Sequence, residues 1–429
     1  PSGSAPPEPE GCSHLVGNPI NFLSGHKLMK ETVLEAKHGS LLSFSWLYNS
    51  FGNHIKSGAG YSIGAGVAGV TSLHSEPPIQ GNQPLITLPL SPKPTEAYTG
   101  HATQHWRHNH SYFLAHYVMP DGLTERLIAY RPNGNDIRFI EEDGIFVAQA
   151  NRDWRITKEL NDDSIQIGWR LAVGNLTEHY DSAGRILRIE DISGHSLTYT
   201  YHVDGTQQKS ITDENGSTLS LNYADGQLAE VIQNQNTSYQ FEYYADGMLK
   251  SITFPGNDSP KKTYLYEDPR FPGALTSVID ESGNMYSNYT YDSQGRAVRT
   301  EYSYGTNSVN VDYIDNNTRR ITNALGKKTT YHFSDIGNSL RITSIEGEAS
   351  ANCVASHKSY TYNEDGFVAS ETDWEGNTTV YTRDDLGREL SRTEASGTPS
   401  ERTTITEWYS DLNLPAKITT CLLYTSDAA

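Results

Sequence analysis

Glycine returns through the middle of this chain at a nearly constant step, and that step limits the fold more tightly than anything else in it. Between Tyr180 and Gly256 turn glycines fall at Gly184, Gly194, Gly205, Gly216 and Gly226, in steps of 10, 11, 11 and 10 residues, and the next is Gly247. The runs between them alternate. Leu197, Tyr199 and Tyr201 are separated by Thr198 and Thr200, Leu219, Leu221 and Tyr223 by Ser220 and Asn222, and Tyr239, Phe241 and Tyr243 by Gln240 and Glu242. An apolar period of two is the signature of a strand with one buried face. A two-stranded unit copied about every 21 residues predicts a repeat array of hairpins, all-β from end to end.

Composition fits such an array. Hydrophobic residues make up only 36% of the 429, yet there are 27 Tyr and 36 Gly. Tyrosine buries a ring and keeps a polar tip, which suits a large thin sheet with two wet sides. The net charge of −19 argues against nucleic acid as the main partner and against an anionic membrane surface, because both are bound through Lys and Arg; the acidity reads as solubility. No run of about 18 apolar residues occurs, so no helix of this chain reaches the length of a membrane span. The chain opens on Pro1, read as a fragment or a processed end, so the lack of a leader carries no information about secretion. Three cysteines at wide spacing, Cys12, Cys353 and Cys421, form neither a disulfide framework nor a metal motif.

Taken in order, residues 1–16 read as a linker, Pro-, Ser- and Glu-rich at the start. Strands are predicted at Lys27–Val33 and Leu42–Tyr48, with a turn at Gly39 between them; Leu42, Phe44, Trp46 and Tyr48 share one face. The order GNPIN, SGHK, a Glu/Thr strand, then L-x-F-x-W-x-YNS resembles the opening block of RHS-repeat (YD-repeat) proteins. Residues 57–100, first Gly/Ala-rich and then Pro-rich, depart from that family and read as an inserted loop. The pattern resumes at HWRHNHSYFLAHY, where Trp106, His108 and Tyr112 match the family's Gly-Trp-x-His-x-Tyr strand and His105 replaces the glycine. The turns PDG (Pro120–Gly122), PNG (Pro132–Gly134) and EDG (Glu142–Gly144) follow. Tyr180, Asp181, Gly184 and Arg185, and again Tyr291, Asp292, Gly295 and Arg296, match the YDxxGR core in full, while YHVDG, YYADG and YNEDG match loosely and DISG, DENG, DESG, NALG and DWEG interleave. These positions read as structural: the Asp carboxylate accepts from the backbone two residues on, and Gly takes the positive φ. The division expected is an opening block over 17–117, a repeat wall over 118–420, and a tail over 421–429 (CLLYTSDAA) that looks like the translation of a sequencing adapter.

A search for chemistry returns little. His101, His105, His108, His110 and His116 form the one dense polar group; His108 and His110 would share a strand face in a His-x-His arrangement, but no Cys or carboxylate stands at ligand spacing, so exposed imidazoles are preferred to a metal site. The carboxylates sit mostly in turns, and no facing pair of the kind a glycosidase uses stands out. There is no G-x-S-x-G elbow, P-loop or dinucleotide fingerprint. The expectation is therefore no catalytic, cofactor or metal residue and no enzyme activity.

What the resemblance implies is more specific. In the family the hairpin sheet spirals into a hollow shell around a C-terminal toxin, and a DP-x-G core motif that carries aspartate-dependent self-cleavage closes the array. Asp268-Pro269 is followed by Arg270 and Phe271 and does not match it. The chain is then expected to be a non-catalytic shell segment of a bacterial polymorphic toxin, secreted or on the cell surface. Its partners would be its own C-terminal toxin and, through the N-terminus, a secretion-system component. The alternative is a carbohydrate-binding YD module whose tyrosines stack on sugar rings.

Overall fold

The computed structural model describes residues 14–36, 40–51, 105–118, 125–133, 136–148, 154–203, 205, 207–336, 339–349, 356–364, 366–384, 387–409 and 414–422. The Gly39 turn, the 57–100 insertion, the PDG turn, Gly134, His101, Cys12 and Cys353 lie outside them. Among the described residues the chain is β throughout, 33 strands with a single short 3-10 turn at Ser303–Gly305.

Two sheets are present. Strands β1 (Leu15–Val16), β2 (Ile20–Asn21), β3 (His26–Leu34), β4 (Phe44–Asn49) and β5 (Trp106–His108) form a five-stranded antiparallel sheet, here the block. The other 28 strands form one long sheet, the wall, in which each strand pairs antiparallel with its sequence neighbour. It begins with β6 (Phe113–Val118), β7 (Glu125–Tyr130), β8 (Asp136–Glu142), β9 (Ile145–Ala148), β10 (Arg155–Leu160), β11 (Gln166–Val173) and β12 (Leu176–Asp181). The last strand, Pro415–Leu422, runs two residues into the tail, with Thr403 opposite Cys421.

The wall curls, and the registers show how. In the ladder around each YD-type turn one residue of the outgoing strand has no opposite number: Leu187, Lys209, Ala229, Lys250, Val298, Ala369 and Leu390. Each is a one-residue bulge, which bends a strand and strengthens its twist. At the first of them Ile186 and Ile189 are buried while Leu187 and Arg188 are exposed, so the extra residue lengthens the outer arc. Repeated along the sheet, the bulge makes the wall concave. The curl brings β6 back against the turn after β12: Leu114 N–H donates to Gly184 O at 2.9 Å and Phe113 bridges Arg185, which closes the sheet at this end.

Concave and convex faces differ. Tyr199 pairs with Ile211, Ile211 with Leu219, Leu221 with Val231, Val231 with Tyr239 and Phe241 with Ile252, and all are buried. The sheet therefore does not have two wet sides. The block lies on the concave face and covers it from Asp213, which accepts from Ser40 Oγ at 2.8 Å, to Phe333, 6.2 Å from Phe22 between ring centroids. Block and wall share one hydrophobic core in which Trp46 and Trp106 are almost fully buried; each such indole is worth at most about 4–5 kcal/mol in apolar surface removed from water.

The bulge yields a sharp contrast. Lys250 projects into solvent, so Lys250→Ala should change stability by less than about 0.5 kcal/mol. Deleting Lys250 removes the bulge and leaves Leu249 opposite Tyr243 and Ile252 opposite Phe241 in strict alternation, so it removes the bend without turning a core residue outward. A wall that no longer curves onto the block should cost about 1–3 kcal/mol. Urea midpoints of the two variants check this.

Candidate functional site

The residues singled out in the sequence are turn chemistry. Asp181 Oδ1 accepts from Ala183 N at 3.0 Å and Arg185 N at 2.9 Å, and Oδ2 accepts from Arg185 Nε at 2.5 Å. Asp292 repeats this with Gln294 N (2.8 Å), Arg296 N (3.0 Å) and Arg296 Nε (2.8 Å). A third copy, unremarked in the sequence, uses Asp384 and Arg388. Gly184 and Gly295 have φ of 83° and 79°. At Gly184 a Cβ would also lie 1.8 Å from Leu114 O, so this glycine makes the closing contact as well as the turn.

The tyrosines do something the sequence did not reveal. The hairpins closed by DxxG turns have short ladders: Ile189 opposite Leu197 is flanked by one pair on each side, and the strands then part toward the YD rim. At that parting the tyrosine hydroxyl donates to a backbone carbonyl at or near the start of the previous strand. The bonds are Tyr201 to Ile186 (2.8 Å), Tyr243 to Leu228 (2.6 Å), Tyr291 to Leu275 (2.7 Å), Tyr313 to Ala297 (2.9 Å) and Tyr362 to Ile342 (2.6 Å). Arg383 and Trp408 substitute for tyrosine, donating to Val368 O and Glu389 O. The motif arginines span the same gap, with Arg185 over the Tyr201 ring, Arg296 over Tyr313 and Arg388 over Trp408, at 4.1 to 5.4 Å. Tyr180 departs from this: its hydroxyl donates to Glu178 Oε2 at 2.7 Å.

Tyr180 thereby joins a buried ion pair at the closed end. Arg131 Nη1 and Nη2 donate to the two Glu178 oxygens at 2.6 Å each, and the guanidinium lies against the rings of Tyr112 and Trp154. Burial alone would lower the Arg131 pKa, but the Glu178 carboxylate outweighs it and raises it. Burial and the Glu178 charge hold Tyr180 protonated.

The block enters at the parted rim. Tyr48 Oη accepts from Leu275 N at 2.7 Å and donates to Gly273 O at 2.8 Å; Ala297 N donates to Gly25 O at 2.8 Å; Trp106 Nε1 donates to Tyr266 Oη at 2.7 Å. Backbone donors released by the parting are met by the block. Lys27, from the SGHK run, is fully buried with its ammonium 4.2 Å from the Tyr289 centroid and bonded to the carbonyls of Asn18 and Leu28; burial pushes its pKa well down.

The histidines are not an exposed row. His110 is buried with Nδ1 3.0 Å from Tyr199 Oη and Nε2 2.6 Å from Ser43 O; His108 stacks on Phe44; His105 Nδ1 lies 2.9 Å from Asn49 O. His116, on the wall, meets Glu125 at 3.2 Å. No group of His, Cys, Asp and Glu among the described residues could hold a metal ion.

Residues 128–315 match the Teneurin YD-shell family. This stretch of the wall carries the YD-shell repeat. Among solved structures the shell is similar to the TcdB2–TccC3–Cdc42 complex, at 12% identity over 73% of this chain and 22% of that one with a TM-score of 0.40. It is also similar to TcdB2–TccC3 without Cdc42 (12%, 73%, 22%, TM-score 0.37) and to the Photorhabdus luminescens Tc holotoxin pore (12%, 73%, 22%, TM-score 0.39). The aligned part spans about a fifth of those chains. No curated protein sequence matches this one.

Tyr48→Phe keeps the ring and removes the oxygen that serves two buried backbone groups. The expected cost is about 2–4 kcal/mol, read as a lower urea midpoint. Glu178→Gln should cost about 3–5 kcal/mol by leaving Arg131 buried and unpaired, read the same way.

Proposed function

We propose that this chain is the plugged portion of a hollow YD shell that encloses a polypeptide cargo, a toxin carried C-terminally, for delivery outside a bacterial cell. The shell role itself is structural. The observation that carries the reading further is a change in the concave face. Under the block it is aromatic, with Phe241, Tyr264, Tyr289 and Phe333. Past the block the ladder continues from Tyr360 to Glu371, Thr379, Tyr381, Arg392 and Thr404. Glu371 accepts from Tyr381 Oη at 2.8 Å and Glu394 from Arg402 at 2.6 Å. A polar inner wall suits a lumen that holds a chain without fusing to it, beside an aromatic face that holds a plug.

The cargo would be a C-terminal toxin, and a secretion-system component would meet the N-terminal side.

The test uses the complete polypeptide that contains this chain. With a protease at pH 7.5, cargo peptides should survive at least tenfold longer than those of the cargo expressed alone. Equal digestion rates would overturn enclosure. A glycan array on the same protein separates the carbohydrate-binding module: strong selective binding together with unprotected cargo would favour that reading instead.

A further inference from the structure

The wall and the block differ in how they keep their histidines. On the wall, His179 lies between Glu159 (2.6 Å) and Glu190 (3.3 Å), His195 is 2.9 Å from Asp191, His332 is 3.6 Å from Glu346, and His116 faces Glu125 and, through it, Lys158. Each of these imidazoles has a carboxylate within reach. The histidines at the seam between block and wall, His14 and His105 beside block strands and His110 in the link from β5 to β6, sit instead among rings and carbonyls. His110 has one tautomer that fits: Nε2–H donates to Ser43 O, which can only accept, and Nδ1 accepts from the Tyr199 hydroxyl of the wall. Around it are Phe44 and His108 from the block and, past Tyr199, Tyr112 and the Arg131–Glu178 pair, whose charges are spent on each other. Its own carbonyl accepts from Gln208 of the wall at 2.9 Å. His105 stacks on Tyr48 and packs against Gly273, with Asp246 the acidic group in its field. His14 lies against Phe22 and the wall's Phe333, and the charge facing it is the wall's Arg341, which opposes protonation.

We infer that the block is an acid-released stopper, freed from the wall when its seam histidines, His110 first, take up a proton. A proton on Nδ1 removes the acceptor for the Tyr199 hydroxyl and places a cation in a seam of aromatic rings. The block that leaves the wall gains water for that charge.

The sign follows from burial, which lowers the pKa of all three and holds those of His110 and His14 at about 4, against 6.5 when free. The released block binds the proton first. Seating is therefore strongest above about pH 6.5, weakens as the pH falls toward about 4, and loses nothing more below that. For one such histidine the released-to-seated ratio rises on the order of 10²-fold by pH 4.5. The inference rests on the block being a plug and not on what the shell contains.

Hydrogen exchange of the full chain, corrected for intrinsic rates and followed by mass spectrometry from pH 7.5 to 4.5, tests it. Peptides from β3 and β4 should lose protection by at least about 10²-fold while those from the wall strands between 227 and 243 keep theirs. His110→Gln should move the loss to lower pH and Tyr199→Phe, which strips the neutral imidazole of its donor, to higher pH. If His110→Gln is unprotected already at pH 7.5, His14→Gln replaces it with the same expected shift. Block and wall losing protection together, a block that stays seated to pH 4.5, or variants that release at the wild-type pH would each overturn the inference. None of these outcomes touches enclosure, which the protease assay at pH 7.5 decides separately.

Discussion

A long sheet with one apolar face must find cover for it, and the rest of this structure follows from how that is done. The repeat cannot bury its own concave face, since each hairpin touches only its neighbours. Curvature folds the face inward, and the block fills the space. The two are one core, not two domains in contact: Phe44 and Trp46 pack on Phe241, Trp106 on Tyr264, and Phe22 on Tyr331. Past Tyr360 the burden eases, because the inward residues become polar and can face water or a guest.

Curvature has its own cost. A sheet that bends by a bulge at every YD turn parts between hairpins on that rim, and parted strands expose carbonyls and N–H groups. Three devices meet them: tyrosine hydroxyls on carbonyls, motif arginines laid over the next aromatic, and the block's Tyr48 and Gly25 on the remaining backbone. The YDxxGR motif is in this sense a rim-knitting device. Its Asp and Gly make the turn, and its Arg, together with the tyrosine of the following hairpin, holds the turn to its neighbour.

Much of this was legible before the structure. Two-residue alternation placed the strands and their buried faces, and turn chemistry gave Asp181, Gly184, Asp292 and Gly295 their roles, because both depend on residues close in sequence. The bulge left a trace that strict alternation overlooks: apolar residues three apart just after the turn, as in Ile186 and Ile189, Leu228 and Val231, and Leu249 and Ile252. The Arg131–Glu178 pair, the Gly184–Leu114 contact and the burial of Lys27 depend on which distant strands meet, and no local pattern encodes that. The histidines misled for the same reason. His108 and His110 look like an open face until the wall closes over them, and Tyr199, which defines the environment of His110, lies 89 residues away.

The central claim is that the block lies inside the curve of the wall, and a zero-length cross-link reads it directly. Glu31 of β3 and Lys262 of the wall are 2.8 Å apart and 231 residues apart in sequence. Carbodiimide treatment of the intact protein, followed by peptide mass spectrometry, should recover a Glu31–Lys262 amide. Recovery of Lys262 joined only to wall carboxylates such as Glu281, with Glu31 unlinked, would contradict the account.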